Sequence, residues 1–218
     1  MTIVINGSGT VTGISAGGLP DNTVDNGTMA DDAIGVAELS ASGTASSSTF
    51  LRGDNSWAAP AGGIAHASSF RVTSNWNPAN SWTDITANWE VSDGPGYGTL
   101  GTAVTESSGI FSFPVTGFWW VFYGAMADFN GSAVNYASCE LQATTNNSSY
   151  SAVTLASHGI ADGDINTYTT ITGDGLLDVT DTSNVKCKLR TETTEDTTWH
   201  GSTNNNQTWI TFIRLADT

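Results

Sequence analysis

Basic residues are scarce in this chain. Its 218 residues hold six Lys and Arg (Arg52, Arg71, Lys186, Lys188, Arg190 and Arg214) against 21 Asp and Glu, for a net charge of −15. Nucleic-acid binding by phosphate neutralisation needs a basic face, so no nucleic acid partner is expected. Anionic membrane surfaces are disfavoured for the same reason. Charge of either sign is thin, at 12% of residues, well under the usual quarter. Cysteine occurs twice, as Cys139 and Cys187, without a CxxC spacing, so no zinc site is expected. Both cysteines share the apolar parity of their strands (Ala137, Cys139, Leu141; Val185, Cys187, Leu189), which reads as two buried thiols. A bridge between them requires neighbouring strands and Cα atoms within ~7 Å. No run approaches the ~18 apolar residues of a spanning helix, so no membrane insertion is expected. The opening MTIVINGSG lacks the basic start and apolar run of a secretory signal. Synthesis in the cytosol with release by lysis is therefore expected, and triplets such as Asn130-Gly131-Ser132 and Asn206-Gln207-Thr208 read as turns.

Aromatic residues are nearly missing from the first 60 positions, which hold two of the 21, Phe50 and Trp57. Residues 20–42 carry a ten-residue echo in which Val24 and Met29 correspond to Ile34 and Leu39, spaced by Asp, Asn, Gly, Thr and Ala. So few apolar groups cannot bury a core within one chain. The segment is expected to be disordered or supported by neighbours, and three copies wound about an axis place Val24, Met29, Ile34 and Leu39 in a shared seam. Ala61-Gly62-Gly63 reads as a hinge. The expected organisation is an extended, low-complexity N-terminal anchor or stalk over residues 1–63 and a compact domain over 64–218.

From Ile64 the pattern changes to short alternating runs bounded by Gly, Asn, Asp and Pro clusters. Strands are predicted at 66–73, 83–91, 110–115, 117–128, 134–144, 151–157, 166–172, 175–180, 184–193 and 207–215. About ten short strands with turn signals between them read as an all-β sandwich or barrel. Residues 184–193 alternate, with Val185, Cys187 and Leu189 on one face and Lys186, Lys188 and Arg190 on the other, so that strand has one wet face. Residues 118–126, FWWVFYGAM, are apolar on both parities. Phe118, Trp120 and Phe122 alternate with Trp119, Val121 and Tyr123, so one set fills a core and the other needs a further cover. A large apolar patch on a folded domain marks an interface. All six residues are candidates for a shared core or subunit interface, and a leader segment or loop is the alternative cover.

Two resemblances attach to these residues. The stretch GTASSSTFLRGDNSWAAP at 43–60, together with the DNTV and ADDAI phrases of the leader, resembles bacteriophage tail-fibre and virion appendage proteins over residues 19–60. The stretch GIFSFPVTGFWWVFYG at 109–124 resembles the central signature of complement-globular-head and tumour-necrosis-factor-like jelly rolls. Gly109, Phe111, Pro114, Gly117, Trp119 or Trp120, and Phe122 match it in order. TDITANWEV at 83–91 resembles an early strand of that fold and TWITFIRL at 208–215 its closing strand. The resemblance implies an antiparallel jelly-roll sandwich that assembles as a homotrimer about an apolar, aromatic axis. The chain departs from the complement relatives in lacking a collagen-like G-X-Y stalk, and the leader stands in its place.

Motifs for catalysis are sparse. None of His66, His158 and His200 falls in HExxH. No enzymatic activity and no cofactor is expected. Asp162-Gly163-Asp164-Ile165-Asn166 imitates the start of a calcium loop, but Thr167 and Gly173 stand where its Gly and Glu belong, so no metal is assigned. Arg52-Gly53-Asp54 imitates an integrin-binding triplet and reads more simply as a turn between Phe50-Leu51 and Trp57. Trp76, Trp82 and Trp199 lie in Asn/Ser/Thr-rich stretches. Exposed Trp beside amides suits neutral sugar rings, so these three are candidate glycan contacts. The alternative is that they cap the ends of the sandwich as core.

The sequence thus leads to a structural protein of a bacteriophage virion. It is read as a trimeric fibre or appendage, joined to other virion proteins through its N-terminal segment, with a knob that contacts a host surface glycan or protein. A capsid-decorating protein without receptor binding, and a free carbohydrate-binding or hydrolytic module, are the competing expectations.

Overall fold

A computed structural model describes residues 35, 39–59, 63–129, 134–161 and 167–218. The proposed seam residues Val24, Met29 and Ile34, and the Asp162–Asn166 segment, lie outside the described residues. The chain divides into two compact units, Met1–Ala61 and Gly62–Thr218.

In the first unit the described residues form a small hairpin. Strand β1 (Phe50–Leu51) pairs antiparallel with β2 (Trp57–Ala58). The Arg-Gly-Asp triplet is its turn. Asp54 accepts from the Ser56 hydroxyl at 2.6 Å and amide at 3.2 Å, and these bonds hold its carboxyl below the usual range. Asn55 takes the left-handed φ of 59°, which Asn tolerates better than most residues.

The second unit is a sandwich of two antiparallel six-stranded sheets, with no helix among the described residues. One sheet contains β3 (Ala67–Val72), β5 (Trp89–Val91), β8 (Gly117–Phe129), β11 (Tyr168–Val179), β13 (Thr197–Trp199) and β14 (Trp209–Ala216). Its order is β11-β8-β14-β3-β5, with β13 continuing beside β8. The other contains β4 (Thr83–Asp84), β6 (Thr105–Ser107), β7 (Ile110–Ser112), β9 (Val134–Thr144), β10 (Ser151–Ile160) and β12 (Lys186–Thr193), in the order β10-β9-β12-β7-β6, with β4 also on β12.

Alternation sets what faces inward. Trp119, Val121 and Tyr123 of β8 are fully buried, as are Phe111, Leu141, Leu189, Ile210 and Phe212. Phe111 meets Phe70 at 5.3 Å and Phe212 at 5.2 Å between ring centroids, and Phe113 meets Trp119 at 5.2 Å. At this separation aromatic pairs add to area burial. Two glycines of the 109–124 stretch are required by backbone geometry. Gly109 has φ 78° and a side chain there would strike the Ile85 carbonyl; Gly117 has φ 137° and would strike the Ala216 carbonyl. Each lets a strand end pass close under a neighbour.

The sandwich has more strands than the sequence pattern predicts, and they are divided differently. The 83–91 run is two short strands, β4 and β5, in opposite sheets, because Asn88 turns left-handed at φ 63° between them. Conversely, 168–179 is one strand rather than two. Gly173 and Gly175 do not turn the chain; they sit on its inward face where β10 and Tyr123 crowd against it. The cysteines are buried and free. Their strands β9 and β12 are neighbours, but Cys139 lies opposite Thr191 and Cys187 opposite Ala143. That four-residue offset separates them by ~13 Å along the ladder, beyond disulfide reach.

Candidate functional site

The outer face of the β11-β8-β14-β3 sheet carries the remaining apolar residues of β8. Register aligns them in rows. Leu176, Trp120, Ile213 and Ala67 lie side by side; Asp174, Phe122, Thr211 and Ser69 form the next row; Asp178, Phe118 and Ala216 form the row on the other side. Trp120 is 37% exposed and Leu176 58%, while Phe118, Phe122 and Ile213 are half-buried. The rings of Trp120 and Phe122 lie 4.0 Å apart. The Trp120 indole N–H donates to Asp174 Oδ2 at 2.9 Å, so the largest ring of the patch is held in place from the neighbouring strand. Trp209 closes one end of the patch by lying across Gly124, where a side chain would displace it.

The six candidate residues of 118–123 therefore divide by parity. Trp119, Val121 and Tyr123 belong to the core of a single copy. Trp119 donates its indole N–H to the Val115 carbonyl at 3.2 Å. Tyr123 reaches across the sandwich and shares its hydroxyl proton between the carbonyls of Cys139 and Thr154, at 3.3 and 3.2 Å. Phe118, Trp120 and Phe122 stand on the outer face, Trp120 exposed and the two phenylalanines half-buried.

The other sheet's outer face is built differently. Ser138, Glu140, Gln142 and Thr144 of β9 are buried polar residues. Glu140 accepts from the Gln142 amide at 2.9 Å and from Arg190 Nε at 2.9 Å. Arg190 in turn lies over the Trp82 ring at 4.4 Å, and Lys188 lies over Tyr150 at 4.6 Å while donating to Asp84 at 2.6 Å. On the wet face predicted for 184–193, Lys188 is thus paired with Asp84 and Arg190 with Glu140.

The three tryptophans offered as glycan contacts do not form one surface. Trp199 is fully buried, so it presents no ring to a ligand, and its burial supports the capping role. Trp82 gives a ring face to Arg190. Trp76 is half-buried and stacks on Trp199 at 6.0 Å and 18° between planes, pinned by a two-way backbone bridge between the two residues. Trp76 also lines a cavity of about 230 Å³ with Val72, Asp84, Ile85, Thr86 and Asn88. The β4–β5 turn that builds this cavity gave no signal in the sequence, because the 83–91 run reads there as one strand. Among the described residues no group of three or more His, Cys, Asp or Glu is placed to hold a metal.

No protein-family model and no curated protein sequence matches the chain. In structure it is similar to the crystal structure of murine APRIL at pH 5.0, with TM-score 0.50 and 8% identity over 69% of this chain and 98% of that one. Eiger TNF from S. frugiperda follows at TM-score 0.47 and 13% identity, over 70% and 93% of the two chains. Two antiparallel sheets with this order and this neighbour give the second unit the tumour-necrosis-factor-like jelly-roll fold.

Proposed function

We propose that the chain is a non-enzymatic structural protein of a bacteriophage virion, a homotrimeric appendage whose N-terminal segment is held by other virion proteins and whose jelly-roll knob contacts the host surface. The observation that carries the assembly is the outer row of Leu176, Trp120 and Ile213, flanked by Phe118 and Phe122. This much adjoining apolar area is seldom left in water. Three copies about an axis bury it in one step, with Asp174 held there by the Trp120 indole. The virion role rests on the 43–60 phrase and the thin leader, whose two aromatics cannot support a core of their own. Antibody labelling of intact particles tests it. Labelling at the tail tip, with purified protein blocking adsorption, is the expected result. Labelling on the head alone, without an effect on adsorption, replaces it with the capsid-decorating role, and labelling of neither overturns the virion reading.

A further inference from the structure

We infer that the cavity between Trp76 and the β4–β5 turn is a binding site for a single neutral pyranose ring. This deepens the host-contact part of the function proposed above and rests on it for its biological meaning. The cavity has an apolar back of Val72 and Ile85 and an aromatic wall of Trp76. The Trp76 ring is braced from behind by fully buried Trp199, so it is rigid before any ligand arrives. A rigid aromatic plane costs no ordering entropy on binding and suits the C–H face of a sugar ring.

The rim is polar. Asp84 gives one carboxylate oxygen to Lys188 at 2.6 Å, which fixes its orientation and leaves the other oxygen as an acceptor for a hydroxyl. Asn88 is fixed by its backbone: its carbonyl accepts from the Thr73 amide at 2.8 Å and the Thr73 hydroxyl at 3.1 Å. Its side-chain amide and the Thr86 hydroxyl, both exposed, supply donors and an acceptor beside the Trp76 wall. One aromatic plane with convergent carboxylate, amide and hydroxyl groups matches a solute that is apolar on a face and hydroxylated around its edge. The volume, about 230 Å³, falls below the ~300–1,000 Å³ of drug-sized sites and fits one ring rather than an enclosed oligosaccharide. The net charge of −15 and the Asp84 carboxylate oppose acidic sugars.

The site also lies apart from the assembly face. Trp199, which backs it, pairs with Ala127, and Trp120 is seven positions earlier on the same strand, a separation of about 20 Å along β8. The cavity is therefore open in a trimer, and three copies present three sites. That arrangement raises a weak single-site affinity by avidity.

Saturation-transfer NMR on the full chain, with methyl glycosides of glucose, galactose and mannose, N-acetylglucosamine, and N-acetylneuraminic acid as the acidic comparison, tests this. At least one neutral sugar is expected to bind with Kd of ~1–10 mM, with transfer strongest at its ring C–H protons, and N-acetylneuraminic acid is expected not to bind. Trp76→Ala should abolish binding. Because that change also removes the partner of Trp199, Asn88→Gly provides a second variant. Glycine keeps the positive φ, so the fold stays intact, and loss of the amide should weaken binding about fivefold. Absence of binding by every neutral sugar, or affinity unchanged in both variants, overturns the site. Adsorption that the virion protein blocks while no sugar binds overturns only this inference; sugar binding by a protein found on no particle overturns the virion role and leaves the site standing.

Discussion

Trp119 and Trp120 are adjacent in sequence and opposite in consequence. Trp119 has no exposed surface and packs on Phe113. Trp119→Ala should cost ~3–5 kcal/mol of stability, the usual loss for a large core aromatic. Trp120 lies on the outer face, tethered by its bond to Asp174 and its contact with the Phe122 ring. Trp120→Asp should leave the sandwich folded and dissociate the assembly, because a carboxylate buried in an apolar seam costs several kcal/mol. Circular dichroism and native mass measurement separate the two: the first variant loses β signal on mild heating, the second keeps it and changes mass. An unchanged oligomer in Trp120→Asp would show that the assembly uses another face. Burial pushes the Cys139 and Cys187 thiols and the Tyr123 hydroxyl well above their ordinary values. All three are neutral when protonated, and the fold holds the proton. Their contribution is complete below the ordinary thiol value of ~8.5 and shrinks as pH rises past it, since only the unfolded chain then ionises. Urea midpoints should be level through neutral pH and fall above about pH 8.5; a rise there would contradict the buried, unbridged thiols.

At the scale of elements, the β10–β11 edge shows what joins the two sheets. Gly173 sits opposite Tyr123, and a side chain there would overlap the phenol hydroxyl. That hydroxyl bonds to the β9 and β10 backbone, and the Thr154 hydroxyl donates to the Asp174 carbonyl at 2.6 Å. Gly173→Ala should therefore lower stability by ~1–3 kcal/mol, the range for overpacking a filled core, measurable as a shift in urea midpoint. No shift would show that β11 moves freely away from β10. This edge also marks the limit of what the sequence reveals. Strands β8, β9 and β12 were legible because long alternating runs fix face and length together. The glycines at 173 and 175 resembled a turn, since local composition cannot tell a bend from a close approach of another strand. In the structure the two parities of FWWVFYGAM separate into a buried set, Trp119, Val121 and Tyr123, and a less buried set, Phe118, Trp120 and Phe122. Arg71 gave no such hint. It is buried to 1% against Glu90 at 2.7 Å and Asp93, partners 19 and 22 positions away that only the β3–β5 pairing brings near. The Trp76 cavity was illegible for the same reason: its wall and rim meet across a turn that the alternation concealed.

At the scale of the molecule, the second unit has its own buried core and carries apolar rows on the outer face of its β8 sheet. The core needs no partner, and the outer face of the β8 sheet offers apolar rows that nothing else in the sandwich requires. The proposed assembly through that face would be driven by apolar area rather than by charge, so it should resist salt, whereas repulsion among acidic copies weakens as salt rises. The most direct measurement is sedimentation of the full chain diluted to nanomolar concentration in physiological salt. The account predicts a species of three copies. A folded, single-copy species would contradict it, and with it the assembly on which the proposed appendage is built.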